Sequence, residues 1–298
     1  MHPLLNVYGD SEKPDEIIKQ VKQIISNTAD LQKIQTLRKV FSLLDLTSLD
    51  VTDTDKRIET MCKKINEFHS FPKNVGTPNI AAICVFPVFV KTAKRTLNAR
   101  GVKIASVAAG FPASQTFLTI KTLESKMAVE DGADEIDVVM PIGKFLDGEH
   151  QAVFDEIAAL RLALGQHIKL KIILETGILA AAQNIRVAAL MAMEAGCDFI
   201  KTSTGKVTPG ASLDAVYVMC EAIKAYHLKT GKRIGIKPAG GIANSRQALS
   251  YLAVVKHVLG DEWIKPELFR LGASRLANDL LTEISILGWG QEAEINYF

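Results

Sequence analysis

The sequence predicts an α/β fold, a (β/α)8 barrel with an N-terminal helical extension, and three observations predict it. Eight short apolar runs alternate with longer amphipathic stretches over roughly 250 residues, the count and size of such a barrel. Each run reads as nearly continuous apolar sequence, the pattern of parallel strands covered on both faces. Several amphipathic stretches end in glycine (Gly132, Gly165, Gly196, Gly260), the residue expected just past a helix C-terminus. An open doubly wound sheet gives no reason for eight units, and no GxGxxG follows the first strand.

Taken in order, DEIIKQVKQIISN (15–27) and TADLQKIQTLRKV (28–40) read as one or two amphipathic helices, an N-terminal lid or cap over residues 1–40. The catalytic barrel then occupies 41–298, with no Pro/Gly/Ser linker or low-complexity tract to divide it. The strands are FSLLDLT (41–47), NIAAICVFP (79–87), KIASVAAGF (103–111), EIDVVMP (135–141), LKIILETG (170–177), DFIKTSTG (198–205), RIGIKPAGG (233–241) and LFRLGAS (268–274). Helical segments between them include 88–100, 116–132, 149–165, 181–196 and 244–260.

Composition bounds the function. The chain has 298 residues, 48% hydrophobic and 23% charged, with a formal net charge of +2, so nothing argues for binding a nucleic-acid backbone. No apolar run approaches the ~20 residues that a membrane helix needs. The N-terminus has no basic start leading into a long apolar core, so no secretory signal is expected. Cys62, Cys84, Cys197 and Cys220 form no CxxC pair, which fits reduced thiols in the cytoplasm.

Catalytic groups in these barrels sit at the C-terminal ends of strands. Those ends carry Asp45, Cys84, Asp137, Glu175, Lys201, Thr204, Lys237 and Ser274. Lys201 and Lys237 each interrupt an apolar strand just before a glycine-rich turn. A single such lysine is as readily a rim residue that reaches out to water; two of them point to a shared pocket. Ammonium groups about 5 Å apart repel by about 3 kcal/mol at an effective dielectric near 20, which favours the neutral form of one. A neutral lysine attacks carbonyl carbon to give a Schiff base. Asp137, between Ile136 and Val138, is a carboxylate at a buried strand position, fit either to hold the lysines or to move protons for them. Lys171 either joins this cluster or lies exposed at the strand's start. Glu175 and Asp45 could bind a substrate hydroxyl or cap a loop.

TSTGK (202–206), AGG (239–241) and LGAS (271–274) follow strands six, seven and eight, where barrels bind phosphate. Lys206 would add charge, and Ser274 would start the last helix. TSTGK is not a Walker A loop, since glycine is absent at position 200 and Val207 follows Lys206. The six histidines end no strand, so no metal is expected, nor any other cofactor.

With these residues in hand the chain resembles the deoxyribose-phosphate aldolases, class I barrel enzymes. The resemblance runs from DLTSLDVTDTD (45–55) through NIAAICVFP, GADEIDVVMPIG, KIILETG, DFIKTSTGK and IKPAGGI to FRLGAS (269–274), about three quarters of the chain. It implies reversible cleavage of 2-deoxy-D-ribose 5-phosphate to glyceraldehyde 3-phosphate and acetaldehyde. It implies Lys201 as the Schiff-base lysine, Lys237 as the lysine that perturbs it, and Asp137 as a proton donor and acceptor. Asp45 and Thr204 match positions near the sugar hydroxyls, Cys84 a pocket-lining cysteine. Gly205, Lys206, Gly241, Gly272 and Ser274 match the phosphate loops. Three features depart from the family pattern: residues 1–40, which bear on any homo-oligomer, Arg275 after Ser274, and Tyr297 followed by Phe298.

Overall fold

A computed structural model describes residues 2–26, 28–74, 76–290 and 294–298. Eight parallel strands form a single sheet: β1 (Leu44–Thr47), β2 (Ala82–Val85), β3 (Lys103–Ala108), β4 (Glu135–Val139), β5 (Lys169–Ile173), β6 (Phe199–Lys201), β7 (Gly235–Lys237) and β8 (Leu271–Ala273). Their order, β7-β6-β5-β4-β3-β2-β1-β8, follows the chain around the sheet. Parallel bridges Ile236–Phe269 and Ala239–Gly272 bring β7 against β8 and close the (β/α)8 TIM barrel. Seven of the strands lie within the runs expected from sequence, and β5 begins one residue earlier than its run, at Lys169. The four expected helix-ending glycines all take positive φ, between 70° and 112°.

The alternation of side chains across each strand divides the polar from the apolar residues. Ile136 and Val138, Leu170 and Ile172, Ile200, and Ile236 turn outward into the main hydrophobic core under the helices. Glu135 and Asp137, Lys171, Lys201 and Lys237 take the alternate positions and are buried inside the barrel. The expectation of strands apolar on both faces is therefore corrected for β4 to β7. One face is apolar and the other carries charge, which a buried face tolerates only where charges pair. A smaller apolar cluster of Leu49, Cys84, Ala105 and Val107 fills the β2–β3 side of the interior.

Register sets the interior geometry. Phe199 lies beside Gly235 and Lys201 beside Lys237, while Asp137 lies beside Lys171. A Cβ at position 235 would stand 2.3 Å from the Phe199 ring. Glycine there lets the ring fill the barrel beneath the two lysines. Gly272 serves similarly on the other side, since a Cβ would meet Lys237 Cε at 3.1 Å.

The N-terminal segment forms helices Pro3–Tyr8, Pro14–Ile25 and Ile34–Phe41 and a single turn at Thr28–Leu31; the first was not expected from sequence. Asn27, at the end of the first expected helix, lies outside the described residues. Ile17 and Val21 are buried as Pro14–Ile25 packs on helices Leu213–Thr230 and Ser245–Leu259, and Ile34–Phe41 packs on Leu276–Trp289. Arg186 donates from Nε to the Gly9 carbonyl and from Nη2 to that of Tyr8, both at 2.7 Å. The extension is thus bound to the outer helical layer rather than laid over the barrel mouth, because its apolar stripes face that layer.

Candidate active site

At the centre of the barrel one carboxylate gathers three lysines. Asp137 Oδ2 accepts from Lys201 Nζ and from Lys237 Nζ, each at 2.8 Å, and Oδ1 accepts from Lys171 Nζ at 2.8 Å. Lys171 also meets Glu135 at 2.5 Å. Lys237 meets Asp45 at 2.5 Å, a close charge contact without hydrogen-bond alignment. Arg270, just ahead of β8, reaches Asp45 at 2.6 Å and Glu135 at 2.8 Å, tying the far side of the network together. Every member is buried.

Burial alone would push the Asp137 carboxyl up. The three lysines, Lys171 first, hold it well below the usual carboxylate range instead. Burial would likewise raise Asp45, but Lys237, Arg270 and Lys171 win and lower it. Burial favours a neutral Lys237, and Asp137 with Asp45 overturns that and raises its pKa. The same balance raises Lys171, with Asp137 and Glu135 overcoming burial. The expectation that Lys237 and Lys201 confront each other as bare cations is corrected here. They meet across a shared carboxylate, and Lys237 is fixed as an ammonium.

Charge bookkeeping across the network is informative. Lys171, Lys201, Lys237 and Arg270 face Asp45, Glu135 and Asp137, which leaves one positive charge in excess. Lys171, Lys237 and Arg270 each contact two or more carboxylates; Lys201 contacts one oxygen of one, and shares it. Lys201 also stands at the floor of the cleft, whereas Lys237 is sealed beneath it. Lys201 is thus the cation of the network with the fewest carboxylate contacts.

The cleft above has a volume of about 950 Å³. Lys201, Thr204, Gly205, Lys206, Gly241, Gly272 and Ser274 line it, so the structure gathers all three glycine-rich loops around one opening. Lys206 Nζ donates to the Leu49 carbonyl, which ties the β6 loop to the β1 loop. The Thr204 hydroxyl donates to Glu175 at 2.6 Å and accepts the Lys206 N–H at 3.0 Å. Ser274 is exposed at the rim, but the residue that caps helix Leu276–Trp289 is Arg275. The helix begins later than expected, and Ser274 lies one position outside its cap.

Asp45 and Cys84 do not line the cleft. The Asp45 carboxylate is used by Lys237 and Arg270, and Cys84 belongs to the interior apolar cluster, where burial pushes its thiol up. Tyr297 is turned away: its hydroxyl donates to the Lys64 carbonyl at 2.7 Å and its ring packs on Phe71. Phe298 takes the place at the cleft wall, held by Asn278, which accepts its N–H at 2.8 Å. Glu135 and Arg270 were missed from sequence. Both carried the signal that marked the lysines, a charge inside a strand run two residues from a marked position and on the same face.

Fold and site together define a (β/α)8 barrel enzyme with amine and carboxylate groups collected inside the barrel, beneath a cleft at the C-terminal ends of strands β6 to β8. Residues 39–262 match the DeoC/LacD family of aldolases. The chain is 42% identical to human deoxyribose-phosphate aldolase over 281 residues, covering 90% of this chain and 87% of that one. It is 44% identical to the Bos taurus deoxyribose-phosphate aldolase, covering 83% and 80%. The deoxyribose phosphate aldolase structure from Aeropyrum pernix superimposes with a TM-score of 0.65 over 87% of this chain and 96% of that one; at 23% identity this speaks for the fold. The chain belongs to the DeoC/LacD aldolase family and is a carbon–carbon lyase.

Proposed function

We propose that this aldolase reversibly cleaves 2-deoxy-D-ribose 5-phosphate to D-glyceraldehyde 3-phosphate and acetaldehyde, with Lys201 as the Schiff-base amine. The observation that carries the residue assignment is the position of Lys201 Nζ, at the cleft floor and 2.8 Å from a carboxylate shared with two other lysines.

Neutral Lys201 adds to the C1 aldehyde of the sugar, and the carbinolamine loses water to give an iminium. Asp137, in contact with Lys201 and Lys237, passes protons during that dehydration. Removal of the 3-hydroxyl proton releases glyceraldehyde 3-phosphate as the C2–C3 electron pair moves into the iminium. The resulting enamine takes a proton at C2, and water then frees acetaldehyde and Lys201. Lys237, held as an ammonium, supplies positive charge throughout and does not compete as nucleophile. The loops bearing Gly205, Lys206, Gly241 and Ser274 bind the 5-phosphate through backbone N–H groups and the Lys206 charge. No cofactor enters this scheme.

Such an activity supports a role in deoxyribose phosphate catabolism. Four free, buried cysteines support a reducing compartment, the cytoplasm; no helix among the described residues is long and apolar enough to cross a membrane. The outward face of helix Leu118–Glu130 exposes Ile120, Leu123 and Met127, which supports a homo-oligomer.

Borohydride reduction in the presence of acetaldehyde tests the assignment. The expected product is an N-ethyl group on the peptide containing Lys201, found by mass spectrometry. Lys201→Leu should abolish adduct and turnover together; an adduct that persists at another lysine would displace Lys201 from the role.

A further inference from the structure

Glu175 has no part in the chemistry above, yet it is almost fully buried and its backbone is left-handed, at φ 52° and ψ 58°. A glutamate held in that conformation is uncommon and is kept by the contacts around it. Its side-chain hydrogen bonds run to the β6 loop. The carboxylate accepts the Thr204 N–H at 3.1 and 3.3 Å and the Thr204 hydroxyl at 2.6 Å, and that hydroxyl in turn accepts the Lys206 N–H at 3.0 Å. The turn that follows presses on the same loop: a Cβ at Gly177 would stand 2.1 Å from the Pro209 carbonyl oxygen. Beyond it, Gly210 abuts Gly240 of the β7 loop, where a Cβ would come within 2.5 Å of the Gly240 oxygen.

Lys201 is held separately. The Leu174 N–H donates to the Lys201 carbonyl and the Thr176 N–H to the Thr202 carbonyl, both at 2.9 Å, and neither bond uses the Glu175 side chain. The β5 turn thus carries two independent holds, backbone for the reacting lysine and a carboxylate for the loop carrying Gly205 and Lys206.

We infer that Glu175 is a positioning residue for phosphate recognition, which fixes the 204–206 segment in its anion-binding shape without acting on the amine chemistry. The inference rests on the phosphate-loop reading proposed above. A buried carboxylate close to an anion site repels the anion, so only the geometry it imposes favours binding. Neutral but isosteric glutamine should therefore serve almost as well.

The test compares 2-deoxyribose 5-phosphate with unphosphorylated 2-deoxyribose in Glu175→Gly and Glu175→Gln. Glycine suits the left-handed backbone, so it removes the side chain without straining the turn. The expected result for Glu175→Gly is at least a tenfold rise in KM for the phosphorylated sugar. Its kcat/KM for 2-deoxyribose and its rate of trapping by acetaldehyde and borohydride should stay within threefold of wild type. Glu175→Gln should return KM to within threefold of wild type. Equal losses on both sugars would give Glu175 a general structural or chemical role and overturn the proposal, as would an undiminished phosphate preference in Glu175→Gly. Should that variant not fold, Glu175→Asn, which tolerates the left-handed backbone but shortens the tie to Thr204, is read by the same split. A wild-type enzyme without preference for the phosphorylated sugar would instead remove the phosphate-site reading itself, a different result from a preference that survives the substitution.

Discussion

The floor of the barrel and the rim of its cleft both collect polar groups, yet they satisfy them differently. On the floor, Asp45, Glu135, Asp137, Lys171, Lys237 and Arg270 are sealed from water and answer one another through direct ion pairs. At the rim, Lys206 is held by a backbone carbonyl, and Gly241 and Ser274 lie exposed around an open cleft. The floor is rigid because removing any member strands a partner without water to replace it. The rim is open to solution, as the proposed phosphate site requires. Lys201 belongs to both, with its amine in the floor network and its access through the cleft. The proposed chemistry lies where the closed network meets the open cleft, the place where a buried amine of the network can be reached by a carbonyl from solution.

Substitutions that treat the two regions alike would break this contrast. The largest effect is expected from Asp137→Asn, which leaves three lysines around a neutral amide. Breaking so buried a pairing costs about 3–5 kcal/mol, and loss of the proton shuttle should lower kcat by about 10²–10⁴. Chemical denaturation and steady-state kinetics check the two halves; a variant as stable as wild type would mean the floor is not the closed network described. The pH profile sharpens the same point. The Asp137 and Asp45 carboxyls titrate below their unfolded values, so their contribution is complete above about pH 4 and is lost as pH falls below it. Acid unfolding should be steep below that point in wild type and shallower in Asp137→Asn.

Gly235→Ala should follow in size. The new methyl collides with the Phe199 ring, and overpacking of this kind costs about 1–3 kcal/mol. A fall in Tm accompanied by lower kcat is expected, because the displaced ring lies beneath both lysines. A fall in Tm alone would separate packing from catalysis. The smallest effect belongs to the rim: Lys206→Met should raise KM for the phosphorylated sugar about tenfold, roughly 1.4 kcal/mol. Stability should hold, since the lost bond is one contact at the mouth. An equal rise for unphosphorylated sugar would show Lys206 acting on more than phosphate.

The amino-acid order by itself determined the eight strands, the helix-ending glycines, the grouping of Lys201 with Lys237 and Asp137, and the three glycine-rich loops around one cleft. Each of these leaves a local trace, in periodicity, in a charge that interrupts an apolar run, or in glycine beside a strand end. The tertiary structure alone decided who neutralises whom. Asp137 stands between lysines 34, 64 and 100 residues away, Arg270 reaches back 225 residues to Asp45, and the N-terminal helices run along the flank. Ion-pair partners are chosen by barrel closure and register, and the sequence distance between them carries no record of either. That is why the two lysines read from sequence as cations repelling each other, whereas the carboxylates across the barrel turn out to hold Lys237 as an ammonium.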